Sequence, residues 1–133
     1  MTDSLTDTFG PVLAAYSRTD AIADGVLHDV TTAARGFGIR LPTAIAEHAW
    51  SQAVAWPNPD TALRCETGRT WTVLAHAAQA LRRAKRRGRE GLQLFNFTPA
   101  PALDGQELIT LGVEVGPGDA GEPVLTITAA ADR

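Results

Sequence analysis

Residues 70–97 have the sequence TWTVLAHAAQALRRAKRRGREGLQLFNF, in which the spacing of the apolar residues changes from that of a helix to that of a strand. In the first half of this stretch they recur three or four positions apart, as on one face of an α-helix. Gly88 favours the end of that helix, because glycine accepts the left-handed conformation that closes many helices. From Leu92 onward the apolar period is two, which is typical of a strand. This change predicts a helical part over residues 1–90 and a β part over residues 91–130.

The helical part contains one strong helix and several weaker segments. The strong helix is predicted over residues 70–87, with an apolar stripe made of Trp71, Leu74, Ala75, Ala78 and Leu81. A clear helix is also predicted over residues 42–55, and shorter helical segments near Pro11 and at residues 19–23 and 31–35. Residues 26–30 are predicted to be extended. Because prolines end a helix, residues 57–69 are predicted to form a loop.

The β part contains three runs with strand periodicity. These runs are residues 92–97, 108–115 and 124–128. The segments between them carry glycine and proline at turn positions, which suits antiparallel neighbours. We therefore predict a single α+β domain over residues 1–133, with three to four helices packed on a three-stranded antiparallel C-terminal sheet.

The composition is that of an ordinary globular protein. The chain has 133 residues, of which 44% are hydrophobic, and its single cysteine, Cys65, excludes an internal disulfide. The N-terminal residues lack the basic start and apolar core of a secretory signal, and no apolar run approaches the roughly 18 residues of a membrane span. We expect a cytoplasmic protein that does not contact a membrane.

Positive charge is concentrated in one short segment. Six of the twelve Lys and Arg residues lie between Arg82 and Arg89, and the rest of the chain has six basic against fifteen acidic residues, a formal charge of −9. Arginines can clamp phosphates or carboxylates through charge-assisted hydrogen bonds. The predicted partner-binding residues are Arg82, Arg83, Arg86, Arg87 and Arg89. On a helix their guanidiniums are expected to fan out rather than form one pocket, and a solvated helix end is the alternative interpretation.

No catalytic, metal or cofactor motif is present in the sequence. The glycines of residues 116–121 lie between two predicted strands, where they indicate a turn rather than a dinucleotide site. His48 is expected on the inner face of its helix and His76 on a solvated face, and no histidine spacing suits a metal. Trp50, Trp56 and Trp71 are predicted to pack in the core, whereas an exposed tryptophan would mark an interface anchor.

Three stretches resemble an uncharacterised family of small proteins, a domain of unknown function carried on bacterial plasmids, phages and other mobile elements. The stretches are YSRTDAIADGVLHDVT at residues 16–31, WTVL at 71–74 and GPGDAGEPVLTI at 116–127. No catalytic residue is implied by the resemblance. The motif positions of the family correspond here to Arg18, Asp24, Gly25, Asp29, Asp119 and Glu122. Gly25 and Asp119 have turn or cap explanations, whereas Arg18 and Asp29 have none and are the functional candidates.

These observations predict a non-enzymatic protein-binding accessory protein of a mobile genetic element. By analogy with other small acidic proteins on such elements, its partner is expected to be a host protein or complex. Inhibition of host defence machinery, such as a CRISPR or restriction complex, is the specific hypothesis. One alternative is a nucleic-acid-binding accessory protein that uses the segment Arg82–Arg89. Another is a small nucleotide-using transferase, which a pocket around Arg18 and Asp29 would favour.

Overall fold

Nine helices and strands make up the part of the chain that the structure, a computed structural model, describes, namely residues 16–130. The helix predicted near Pro11 lies outside the described residues. In chain order the elements are α1 (Arg18–Ala23), β1 (Leu27–Asp29), α2 (Thr31–Arg35), β2 (Thr43–Ala46), α3 (Glu47–Ala53), α4 (Ala62–Arg86), β3 (Gln93–Phe97), β4 (Ile109–Pro117) and β5 (Pro123–Ala129).

All five strands belong to one mixed sheet, with the order β1-β2-β5-β4-β3. The pairs β3–β4 and β4–β5 are antiparallel, as predicted for the C-terminal part. The prediction of a three-stranded antiparallel sheet is nevertheless wrong, because β2 pairs with β5 in parallel and β1 adds to β2 antiparallel. The α+β class is confirmed, with four helices and five strands in the described residues.

The sequence did not indicate strand β2, because its residues do not alternate between polar and apolar. Thr43, Ala44 and Ile45 are all buried, so neither face of this short strand has a polar pattern. A short apolar run of this kind cannot be distinguished by periodicity from the first turn of a helix. The helix predicted over residues 42–55 therefore divides into β2 and the shorter α3.

The core lies between the sheet and helices α3 and α4. Alternate residues of the central strands, such as Leu111 and Val113, pack against the helices, whereas Thr110 and Glu114 lie on the other face. Helix α4 packs mainly on β3 and α3 mainly on β5. None of the described helices combines the length and the apolar composition that crossing a membrane requires.

Helix α4 begins eight residues earlier than predicted and has 25 residues. Residues 62–69, part of the predicted loop, are inside it, and Cys65 therefore lies on the helix. The β3–β4 connection contacts the helix at Gly68, where a Cβ atom would lie 3.4 Å from Cδ of Pro101, an ordinary van der Waals distance.

Arg69 is fully buried in this helix, although the sequence placed it in a loop. Its Nε donates to the carbonyl oxygen of Val54 (3.0 Å) and its Nη2 to that of Gln52 (3.2 Å). Its Nη1 donates to the carbonyl oxygen of Pro101 (2.7 Å) and to Oε1 of Gln106 (2.9 Å). One guanidinium therefore joins the end of α3, helix α4 and the β3–β4 connection.

The guanidinium of Arg69 also lies against an aromatic ring and keeps its charge. Its guanidinium carbon lies 5.6 Å from the centre of the Trp56 ring, within the range of a cation–π contact. Burial lowers the pKa of Arg69 from its ordinary value, while Cys65 and Glu66 oppose that shift. The group stays protonated, since arginine loses its proton only far above neutral pH.

Replacement of Arg69 by leucine is expected to destabilise the fold by about 3–5 kcal/mol, because four oxygen acceptors lose a shared donor. The milder Arg69→Lys variant is expected to be intermediate, since an ammonium cannot reproduce the fork. Urea denaturation followed by tryptophan fluorescence measures both. Arg64→Ala, on the exposed side of the same helix, is the control. Equal midpoints for the wild type and Arg69→Leu would contradict this assignment.

Candidate functional site

A cleft of about 140 Å³ lies where α1, the β1–α2 junction and the β4–β5 turn meet. It brings together both functional candidates, Arg18 and Asp29, with Asp119 and Glu122. Four of the six positions to which the family resemblance pointed therefore line one cleft. This proximity depends on the tertiary structure, because more than 100 residues separate Arg18 from Glu122.

Arg18 links helix α1 to the sheet. Its Nη1 donates to Oγ1 of Thr126 (2.8 Å) and its Nη2 to the carbonyl oxygen of Leu125 (2.8 Å). Partial burial lowers the pKa of Arg18, while Asp29, Asp119 and Glu122 oppose that shift. Arg18 thus has a structural role that the sequence did not reveal.

Asp119 caps helix α1 from the β4–β5 turn. Its Oδ1 accepts from the backbone N–H of Arg18 (2.7 Å), and its Oδ2 accepts from the N–H (3.1 Å) and hydroxyl (2.8 Å) of Thr19. These bonds, above all that from Arg18, hold the pKa of Asp119 below its usual range. The cap role predicted for Asp119 is therefore confirmed, but the helix that it caps is distant in sequence.

The two remaining carboxylates also have local partners. Oδ1 of Asp29 accepts from the N–H (3.0 Å) and the hydroxyl (2.6 Å) of Thr31, a local turn bond at the start of α2. Oε1 of Glu122 accepts from the N–H of Ala120 (2.9 Å) inside the turn. The four charged residues of the cleft are thus all used to hold the fold.

The charge and size of the cleft limit what it can bind. Three carboxylates surround one guanidinium, so the cleft does not favour a phosphate. Its volume is also below the roughly 300–1,000 Å³ of usual small-molecule sites. Among residues 16–130 no group of three or more His, Cys, Asp or Glu side chains is placed to hold a metal ion.

The Asp119 cap is expected to make stability depend on pH. Because the pKa of the folded state is lowered, the contribution is present above the unfolded pKa of about 4 and is lost as the pH falls through the folded value. Asp119→Asn should therefore lower the thermal midpoint at pH 7, and the gap to the wild type should narrow toward pH 3. Asp104→Asn, in another exposed turn, is the control. A gap that is constant with pH would contradict a charge-dependent cap.

The basic end of α4 differs from its prediction. Arg83, Arg87 and Arg89 do not fan out but line one cleft of about 60 Å³ beside the start of β3. Arg82 lines a separate groove together with Arg40, and Arg86 is exposed. In the described part of the chain, no hydrogen bond or ion pair engages the side chains of the five predicted partner-binding arginines.

Gly88 directs the chain back toward this cleft. It has φ +64°, and the N–H of Arg89 then donates to the carbonyl oxygen of Ala84 (2.8 Å), which closes the helix as predicted. This turn brings Arg89 next to Arg83 and Arg87. Sequence spacing alone could not show that these three arginines line one cleft, because their proximity depends on the reversal of the chain after the helix.

The prediction that all three tryptophans pack in the core is wrong for Trp71, which is 54% exposed. Trp50 stacks on His28 with ring centres 4.1 Å apart, and Trp56 lies beneath Arg69 and donates its Nε1–H to Thr61 (3.1 Å). The buried side of α4 is rotated from the predicted stripe and leaves Trp71 outside it. Its buried residues are Arg69, Thr70, Val73, Leu74, Ala77, Ala78, Ala80 and Ala84.

Trp71 and Leu63 form an apolar surface on the first half of α4. Leu63 is 85% exposed, and the two side chains line a shallow hollow of about 630 Å³. We call this surface the Trp71 face. Its other lining residues are Asp60, Thr61, Arg64, Thr67 and Gly68. Sequence reasoning missed it because the residues before Thr70 were not recognised as helical.

The histidines do not build a site. His28 bonds to Oε1 of Glu47 and stacks on Trp50. His48 is exposed rather than on the inner face of its helix. His76 is not simply solvated, since its ring stacks on Phe97 with centres 5.1 Å apart.

No protein-family model matches this chain, and neither does any curated protein or solved structure with significant similarity.

Proposed function

We propose that this chain is a non-enzymatic protein-binding accessory protein that docks on its partner through the Trp71 face. The observation that carries the proposal is the exposure of Trp71 and Leu63, which line one hollow on the same helix. Tryptophan is the residue type most enriched among interface anchors, and an exposed apolar patch is typical of an interaction surface.

The surroundings of the Trp71 face resemble the organisation of known interfaces. Asp60 and Arg64 place opposite charges around the apolar centre, as the polar rim of an interface does. The helix beneath is fixed by the four hydrogen bonds of Arg69, so its surface loses little conformational freedom on binding. A preorganised apolar patch with a charged rim suits a folded protein partner.

The class of partner comes from the family resemblance. A family carried on plasmids and phages suggests that the partner is a host protein or complex, and inhibition of a defence complex such as a CRISPR or restriction complex is the specific form of the proposal. The chain outside the basic segment has a formal charge of −9, which suits approach to a cationic nucleic-acid channel.

Nucleic-acid binding is the second candidate. It is supported by six cations within eight residues. Binding of this kind would fall steeply with salt and would not need Trp71. The third hypothesis, a nucleotide-using transferase, is disfavoured by the small and mostly anionic cleft around Arg18 and Asp29.

Capture from host lysate tests the proposal. We expect the tagged wild-type protein to retain a host protein after nuclease treatment, and Trp71→Ala to reduce that capture by at least about tenfold. Because Trp71 is largely exposed, the fold of the variant should be preserved, as circular dichroism would verify. Leu108→Ala removes a similarly exposed apolar side chain that does not line the Trp71 face, and should leave capture unchanged.

Two outcomes would refute this function. Equal capture by the wild type and Trp71→Ala would exclude the Trp71 face as the docking surface. Recovery of nucleic acid alone, with every protein lost after nuclease treatment, would favour the second candidate instead.

A further inference from the structure

We propose that the cleft of Arg83, Arg87 and Arg89 binds an extended acidic segment of a protein partner, which pairs with the outer edge of strand β3. This inference rests on the proposed protein-binding function and adds a second contact with a stated chemistry. The cleft lies between the last turns of α4 and the first residues of β3, Gln93 and Leu94.

Strand β3 is the last strand of the sheet and has a free edge. Its residues Gln93–Phe97 pair with β4 on one side only. Within residues 16–130, the backbone groups of Gln93–Phe97 make no backbone hydrogen bond to any element besides β4. Alternate N–H and C=O groups therefore point outward, and such an edge is a template for an added strand.

The positive charge next to this edge favours an added strand that carries negative charge. Three arginines line this cleft of about 60 Å³, and none has an anionic partner among the described residues. Carboxylates placed there would form charge-assisted hydrogen bonds and relieve the mutual repulsion of the arginines. Elsewhere the chain is acidic, so an acidic segment is attracted to this edge in particular.

Two observations favour a polypeptide over a nucleic acid. A strand edge offers amide groups at the spacing of an extended peptide, about 3.3 Å per residue, which a sugar-phosphate backbone does not match. The strand residues that line the cleft are Gln93 and Leu94. No aromatic ring lines the cleft to stack on a base.

The test uses the full chain labelled with ¹⁵N and the peptide acetyl-Glu-Val-Glu-Val-Glu-amide. We expect the peptide to shift the amide signals of residues 93–97 and to slow their hydrogen exchange. The double variant Arg83→Gln/Arg87→Gln should weaken binding by at least about tenfold. Arg86→Gln removes an exposed arginine on the same turn that does not line the cleft, and should change affinity by less than about twofold.

Two further peptides separate the parts of the proposal. The same peptide methylated on alternate backbone nitrogens keeps its charges but loses its edge hydrogen bonds, and should bind clearly more weakly. A peptide with Lys in place of Glu should not bind. Equal binding of the methylated peptide, or binding without change at residues 93–97, would overturn the strand-addition model.

A DNA duplex serves as the competing ligand. If it binds more tightly than the acidic peptide and loses affinity on Arg83→Gln/Arg87→Gln, the cleft is a phosphate site and the proposal is wrong. Absence of any peptide binding would overturn this inference alone, because capture through Trp71 is measured independently.

Discussion

The buried guanidinium of Arg69 is the interaction on which the shape of this protein most depends. Placing a charge in the interior is costly unless its donors are satisfied, and here four oxygen atoms accept from four of the five N–H donors. Three of these oxygens are backbone carbonyls, from the end of α3 and from the β3–β4 connection. Because arginine presents its donors in a fixed plane, the bonds of Arg69 hold the end of α3 and the β3–β4 connection in place relative to α4.

This anchoring has consequences for both ends of α4. In the first half, burial of the side that carries Arg69 leaves Trp71 and Leu63 on the outer side of the helix. At the other end, the turn at Gly88 brings Arg89 back beside Arg83 and Arg87. One long helix thus presents an apolar surface and a basic cleft at separate places. A partner with an apolar pocket and an acidic extended segment would use both.

The cleft around Arg18 shows a different use of charged residues. Arg18 bonds to the sheet and Asp119 to the start of α1, whereas Asp29 and Glu122 bond to backbone groups close to them in sequence. Four of the six positions suggested by the family resemblance thus meet in space, and each of the four holds part of the fold.

The sequence by itself determined the α+β class, the strong helix up to Gly88 and the three C-terminal strands, because each has a clear local period or a turn residue with a local cause. It also located the positive charge, since that requires only counting. Tertiary structure decided the mixed sheet, because β2 is buried on both faces and carries no period. It decided the role of Arg69, since burial of a charge depends on acceptors from segments far along the chain. The exposure of Trp71 was likewise set by the rotation of α4, which follows from packing rather than from local sequence. The cleft that three arginines line also needs the start of β3 beside the helix end, which local sequence does not show.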